Sequence, residues 1–333
     1  MKKILWVLFV MVGLVSAQPV VNGDLSDAQY ATIAVKQNSN SSFGADIDVS
    51  AIRFYADATN SILYLGLVCK LPVTSDNGIG VWLNISGTGS PTGRAAGQLL
   101  GIQSSQGHYI GAGNVFDNIN FKADFEVDYL FALNTGGSIG TPSSQLYMDA
   151  AKYVSSSAIE YQGASNLIGT SASNSSAAGS VFGINTVFFA CNNGGGVNQG
   201  IEISIPFAQF NATSSMTLQA FAFVVSSTAF FSDVTVPGNI TTGAPGFNAD
   251  FSSLSGGPYH SDPASPLPVE LTSFSAAVSG KNVVLNWGTA TERSNFGFEV
   301  ERSGKNAVWS KIGFVPGSGN SNSTKNYSFT DYS

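Results

Sequence analysis

Between Phe121 and Phe131 the chain alternates apolar and polar residues: Phe121, Ala123, Phe125, Val127, Tyr129 and Phe131 at odd positions, Lys122, Asp124, Glu126 and Asp128 at even ones. A period of two puts the two sets on opposite faces of a β-strand, whereas apolar residues of an amphipathic helix recur every three or four positions. One face of this strand should meet a core and the other solvent or a ligand. Further β-rich runs at 51–57, 61–71, 79–86, 145–153, 181–190, 200–206, 217–226 and 229–236 are separated by Gly, Asn, Ser and Pro clusters. The alternating segment itself spans 121–133. Helix signals are almost absent. Many short strands with frequent turns predict an all-β chain, its larger part an antiparallel β-sandwich.

The two ends of the chain read differently. Lys2 and Lys3 precede an apolar run at 4–15, and Val15-Ser16-Ala17 has the small residues of a cleavage site. This pattern predicts an export signal over 1–17 and a mature chain starting at Gln18. The apolar run is short of the roughly 20 residues that cross a bilayer. No later stretch is long and apolar enough to span one. A second boundary falls near 255–268, where Pro258, Pro263, Pro266 and Pro268 favour an extended linker. The expected organisation is a sandwich over 18–256, a Pro-rich linker over 257–268, and a small module over 269–333. Its strands are expected at 269–278, 281–288, 297–303, 307–315 and 326–331.

Hydrophobic residues make up 43% of the chain, too many for a disordered protein, so packed cores are required. Charged residues are only 11%, under half the usual share of about 25%. Ser, Gly, Asn and Thr take their place, which suits an extracellular β-protein. The net charge of −7 leaves no basic stripe and argues against nucleic acid as a partner. Export makes a disulfide between Cys69 and Cys191 chemically accessible; two separately buried thiols are the alternative.

Catalytic chemistry finds little support. His108 and His260 stand apart and in no metal-ligand spacing, which disfavours zinc and, with only Met148 and Met216 in the mature chain, haem. Gly136-Gly137-Ser138-Ile139-Gly140 matches G-x-S-x-G, but Pro142 follows where a helix should begin, so it reads as a turn. Asp124, Glu126 and Asp128 share one strand face at spacings compatible with a carboxylate pair. They would sit on one wall, whereas a glycosidase flanks its cleft with two. A solvated face, a ligand groove or a calcium site are the readings they allow. Asp46 and Asp48 in Gly-Ala-Asp-Ile-Asp are further candidates for calcium, which prefers several loop oxygens. Carbohydrate binding would rest on exposed aromatic rings. Trp82, Tyr109 and Tyr259 are the candidates; the two tyrosines lie among glycines.

The C-terminal run resembles the fibronectin-III-like module of Bacteroidetes- and Ignavibacteria-type surface proteins that use type IX secretion. The resemblance is carried by Leu267-Pro268-Val269-Glu270-Leu271, Leu285-Asn286-Trp287, Thr289-Ala290-Thr291-Glu292, Gly297-Phe298-Glu299-Val300-Glu301-Arg302 and Ile312-Gly313-Phe314-Val315. It implies that Trp287 is the inter-sheet aromatic, with Phe298 and Val300 facing it. Such a sandwich has seven strands, and about five are expected before Ser333. The module is therefore expected to be incomplete and the sequence to be a fragment or a truncated reading frame.

The larger module is similar to DOMON-like and family-9-carbohydrate-module-like sandwiches. Asn22-Gly23-Asp24-Leu25, Ile62-Leu63-Tyr64-Leu65-Gly66, Gly78-Ile79-Gly80-Val81-Trp82-Leu83, Phe125-Glu126-Val127-Asp128-Tyr129 and Gly200-Ile201-Glu202-Ile203-Ser204-Ile205-Pro206 carry that similarity. It implies a binding role, often toward carbohydrate. The expectation is an exported, non-catalytic surface or secreted protein that binds polysaccharide or another cell-surface component, with no cofactor unless calcium. A structural or adhesion protein without a small ligand and a β-fold polysaccharide hydrolase are the alternatives.

Overall fold

A computed structural model describes residues 18–27, 29–57, 60–87, 92–101, 120–136, 142–174, 181–212, 216–264, 271–290, 292–303, 309–321 and 323–332, without the side chains at 293, 294, 296 and 320. The expected export signal at 1–17 lies outside them. The chain divides into two compact units, Gln18–Pro266 and Leu267–Ser333. Among the described residues there is no α-helix, only one 3-10 turn at Phe207–Phe210.

Among its described residues the first unit holds twelve strands: β1 (Ala31–Val35), β2 (Asp48–Asp57), β3 (Ile62–Lys70), β4 (Gly78–Ser86), β5 (Tyr129–Asn134), β6 (Gln145–Lys152), β7 (Ala158–Asn166), β8 (Ala172–Ser173), β9 (Phe188–Cys191), β10 (Gly200–Pro206), β11 (Thr217–Val225) and β12 (Phe231–Val236). They form two six-stranded antiparallel sheets, ordered β1-β2-β3-β10-β9-β8 and β12-β11-β4-β5-β6-β7. The inner faces meet in one apolar core, with Ile52, Leu65 and Ile203 from the first sheet against Val81, Phe131 and Val224 from the second. This is a β-sandwich.

A second cluster lies on the outer face of the β12-to-β7 sheet. There Trp82 stacks on Phe223 at 4.3 Å and meets Phe121 edge-on at 5.0 Å, within a group that includes Phe221, Phe231, Phe251 and Tyr259. Both faces of this sheet are therefore apolar, and β4 and β5 read as continuous hydrophobic runs rather than alternating ones. Gly80 makes the stacking possible: a Cβ there would lie 2.0 Å from the Trp82 ring.

The alternating segment departs from its expected form. Only Tyr129–Asn134 is a strand within a sheet; residues 121–127 run as an extended cover over the outer face, joined by isolated bridges to Arg94, Leu99 and Asp250. Phe121, Ala123, Phe125 and Val127 face the outer cluster from outside. After Asp128 the chain enters the sheet, so Leu130 and Ala132 take over that side while Tyr129 and Phe131 turn to the inner core. The one predicted face thus serves two cores.

Three further expectations change. The run 181–190 is a strand only from Phe188, because the amides of Val181 and Phe182 donate to the buried Glu160 carboxylate and that of Gly183 to Gln209. The strand β7 was not signalled, since its buried inner side carries Glu160 and Gln162 instead of apolar residues. Residues 257–264, expected as linker, belong to the first unit. β12 pairs with Ala222, Phe223 and Val225 only, and the free edge at Leu218 and Ala220 is taken by Ala264 and Ser261.

The second unit has a three-stranded antiparallel sheet β13 (Leu271–Ser279), β14 (Asn282–Thr289) and β17 (Lys325–Asp331), ordered β13-β14-β17, and a hairpin of β15 (Glu292–Ser303) and β16 (Trp309–Ser321). Its core is Leu285, Trp287, Phe298 and Val300, with Trp287 and Phe298 in edge-on contact at 5.3 Å. Beside it the buried Glu292 accepts hydrogen bonds from Thr289, Asn295, the Ser318 amide and Tyr327.

Candidate functional site

The carboxylates on the cover segment hold backbone. Asp124 Oδ2 accepts the Tyr259 amide at 2.8 Å, and its Oδ1 lies 3.1 Å from His260 Nδ1. His260 also stacks on Phe125 at 5.4 Å. The hydrogen bond to Asp124 raises the imidazole pKa, with burial opposing it. Glu126 Oε1 accepts the Gly93 amide at 3.1 Å. Asp128 Oδ2 accepts the Ile85 amide at 2.6 Å, and burial, with Glu126 adding repulsion, pushes this carboxyl up to about 7. Each acid ties the cover to a different part of the unit: the 259–260 turn, the 92–101 loop and strand β4.

The aromatic candidates divide. Trp82 and Tyr259 are fully buried, and the Tyr259 hydroxyl donates to the Ser255 carbonyl at 2.6 Å. Both rings are core residues of the outer cluster and offer no face to a sugar. Tyr109 lies outside the described residues, as does most of the Gly136–Gly140 turn. The calcium candidates also separate: Asp48 is paired with Lys36 at 2.6 Å, while Asp46 is exposed. Among the described residues no group of three His, Cys, Asp or Glu side chains is placed to hold a metal. Cys69 and Cys191 are unbridged, buried thiols on β3 and β9, the two strands flanking β10.

A different aromatic group reaches the surface. Phe43, Phe230 and Phe247 come from three separate loops and contact in series, Phe43 with Phe230 at 6.3 Å and Phe230 with Phe247 edge-on at 5.1 Å. Phe247 is 57% exposed, and the other two are half-buried. Left-handed backbone adjoins each ring: Gly44 (φ 99°), Ala229 (φ 63°), Gly246 (φ 80°) and Asn248 (φ 55°). For Ala229 this conformation costs about 1–2 kcal/mol. Strain of this kind persists only where surrounding structure enforces it.

That enforcement is visible. Ser226 Oγ accepts the Phe230 amide at 3.0 Å, which closes the turn containing Ala229. Phe231 and Gly246 exchange both backbone hydrogen bonds. Asn40 Nδ2 donates to the carbonyls of Asp233 and Ile240, and Asp233 Oδ1 accepts the Ser42 amide. The three loops are thus bound into one rim whose exposed polar groups are Ser41, Ser42, Thr228 and Asn248.

Rings beside hydroxyls and amides can stack on a sugar face and hydrogen-bond its edge. Sequence reasoning missed this group although a signal was present, in Ser-Phe-Gly at 42–44 and Gly-Phe-Asn at 246–248. These are aromatic residues between turn formers, the same pattern as at Tyr109 and Tyr259. No family model, curated protein or solved structure gives a significant match to this chain.

Proposed function

We propose that this is an exported, non-catalytic surface or secreted protein whose first unit binds carbohydrate at the Phe43–Phe230–Phe247 rim. The carrying observation is Phe247, an exposed ring held between two left-handed residues on a loop cross-bonded to its neighbours. The rim combines apolar faces with uncharged donors and acceptors, the chemistry that recognises a neutral polysaccharide. A non-catalytic role is supported by Asp124, Glu126 and Asp128, each of which accepts a backbone amide. The export signal and the fibronectin-III-like second unit support delivery to the cell surface by type IX secretion.

A glycan-array screen of residues 18–333, compared with the Phe230→Ala/Phe247→Ala double variant, tests the reading. Binding by the parent chain and its loss in the folded variant are expected. No binding to any polysaccharide, or equal binding by both, would favour the second reading, an adhesion or envelope component without a small ligand. The burial of Trp82 and Tyr259 is the observation on that side.

A further inference from the structure

An asparagine followed by glycine can cyclise: the glycine nitrogen attacks the asparagine carboxamide, and glycine, without a Cβ, leaves that approach open. The chain has three such pairs, Asn22-Gly23, Asn77-Gly78 and Asn193-Gly194. The fold treats them differently. Both side-chain amide atoms of Asn193 are taken by Leu71, Oδ1 accepting its amide at 2.7 Å and Nδ2 donating to its carbonyl at 2.8 Å. Gly78 is the first residue of β4 and is set in the sheet opposite Val225.

At Asn22-Gly23 the reacting groups are held toward one another. On β10 Ile201 and Ile203 face the inner core, so Glu202 between them lies on the outer face of its sheet. Residues 22–25 cross that face, and Leu25 packs there on Ala51 and Val68. Glu202 is fully buried beneath them. Its Oε2 accepts the amides of Asn22 at 2.9 Å and Gly23 at 3.2 Å, and its Oε1 accepts the Tyr30 hydroxyl. The attacking nitrogen thus has a carboxylate on its proton. Burial raises the Glu202 pKa and makes that carboxylate a stronger base. On the other side Asn22 Oδ1 accepts the Asp24 amide at 2.7 Å. This bond folds the side chain back over the peptide bond to Gly23 and polarises the carbonyl under attack.

We infer that Asn22 is a self-modification site, which the folded chain converts to aspartate and isoaspartate through a cyclic imide with Gly23. The Gly23 nitrogen bonds to Asn22 Cγ and gives its proton to Glu202. The Cγ–Nδ2 bond breaks, Glu202 returns the proton to the departing nitrogen, and ammonia leaves. Water then opens the imide at either carbonyl. Isoaspartate adds a carbon to the main chain between two anchors, the Glu202 carboxylate and the bond from the Leu25 amide to the Asn198 carbonyl, so conversion loosens this segment from the sheet.

Peptide mapping of residues 18–333 held at neutral pH, with isoaspartate measured at all three pairs, tests the inference. Conversion at Asn22 should be several-fold faster than at Asn77 and Asn193. In urea the three pairs should react alike, with Asn22 slower than in the fold. Glu202→Gln keeps an acceptor oxygen but cannot take the proton, and should slow conversion at Asn22 by about tenfold or more. An unchanged melting temperature shows that the segment is still in place in this variant; if the variant melts lower, the comparison of fold with urea decides alone. Conversion at Asn22 no faster than at the other two pairs, conversion faster in urea than in the fold, or an unchanged rate in a Glu202→Gln variant that melts with the parent would each overturn the inference.

Discussion

Asp124 and Tyr259 are bound to each other: the carboxylate accepts the tyrosine amide at 2.8 Å, and the ring beyond that amide is fully buried. Asp124→Ala leaves a buried N–H without its acceptor, a loss of about 1–3 kcal/mol. Asp124→Asn, which keeps an oxygen, should lose less; urea unfolding of the two variants measures the difference. The same carboxylate lifts the His260 pKa. A raised histidine pKa stabilises the fold fully below the ordinary value near 6.5 and ceases to do so as pH rises through the folded value. The stability difference between the parent and His260→Gln should therefore shrink between mildly acidic and alkaline pH.

Asp128 predicts a second pH dependence. Its carboxyl is raised from 3.8 to about 7 by burial, so across that interval the folded state holds a proton that the unfolded state has released. Stability should fall as pH rises from about 4 to about 7, by at most about 1.4 kcal/mol per pH unit. Asp128→Asn keeps an acceptor for the Ile85 amide and removes the titration. Its unfolding free energy should be flatter over this interval, and an unchanged slope would assign the dependence to another group.

Trp82 and Gly80 should fail together. The indole occupies the space a Cβ at Gly80 would need, 2.0 Å from the ring, and is stacked 4.3 Å from Phe223. Trp82→Ala should destabilise the first unit by about 3–5 kcal/mol. Gly80→Ala should be destabilising alone and much less so in the Trp82→Ala background, where the clash is gone. A double-mutant cycle by denaturant unfolding reads this coupling.

These residues show what the sequence disclosed. Period-two patterns and short continuous β-rich runs located β2, β3, β4, β10 and β11 closely, because those strands carry apolar side chains on an inner face. Trp287 and its partner Phe298 were likewise legible. The cover segment was legible as alternating but not as a separate layer: alternation records that one side is buried, not which core buries it. The acids on its other side looked available because pattern cannot reveal that their partners are amides up to 135 residues distant. The Phe247 rim was obscured for the opposite reason. Phe43 lies about 200 residues before Phe230 and Phe247, so its convergence with them is a property of the fold.

The thiols offer a test of their own. Burial raises the Cys69 pKa well above its ordinary value, with Cys191 nearby adding to it, and pushes Cys191 up to about 12. Thiolate is the reactive form, so both cysteines should be inert to a thiol reagent in the native protein near neutral pH. Both should label once the chain is unfolded without reductant. Labelling of neither after unfolding would show that they are joined.

Phe247 separates binding from stability. Its ring is 57% exposed, and it meets Phe230 edge-on. Phe247→Ala should change unfolding free energy by less than about 1 kcal/mol. Gly246→Ala acts differently, because its backbone has φ 80° and a Cβ there would reach the Phe230 ring at 3.4 Å. Forcing that residue out of the left-handed region should cost about 1–2 kcal/mol and turn the neighbouring phenylalanine away from the rim. If the rim binds carbohydrate, both variants lose retention on an immobilised polysaccharide, and only Gly246→Ala also loses stability. Retention kept by Phe247→Ala would move the site elsewhere. Retention kept by Gly246→Ala alone would mean that the ring, and not the geometry of its loop, is what the ligand requires.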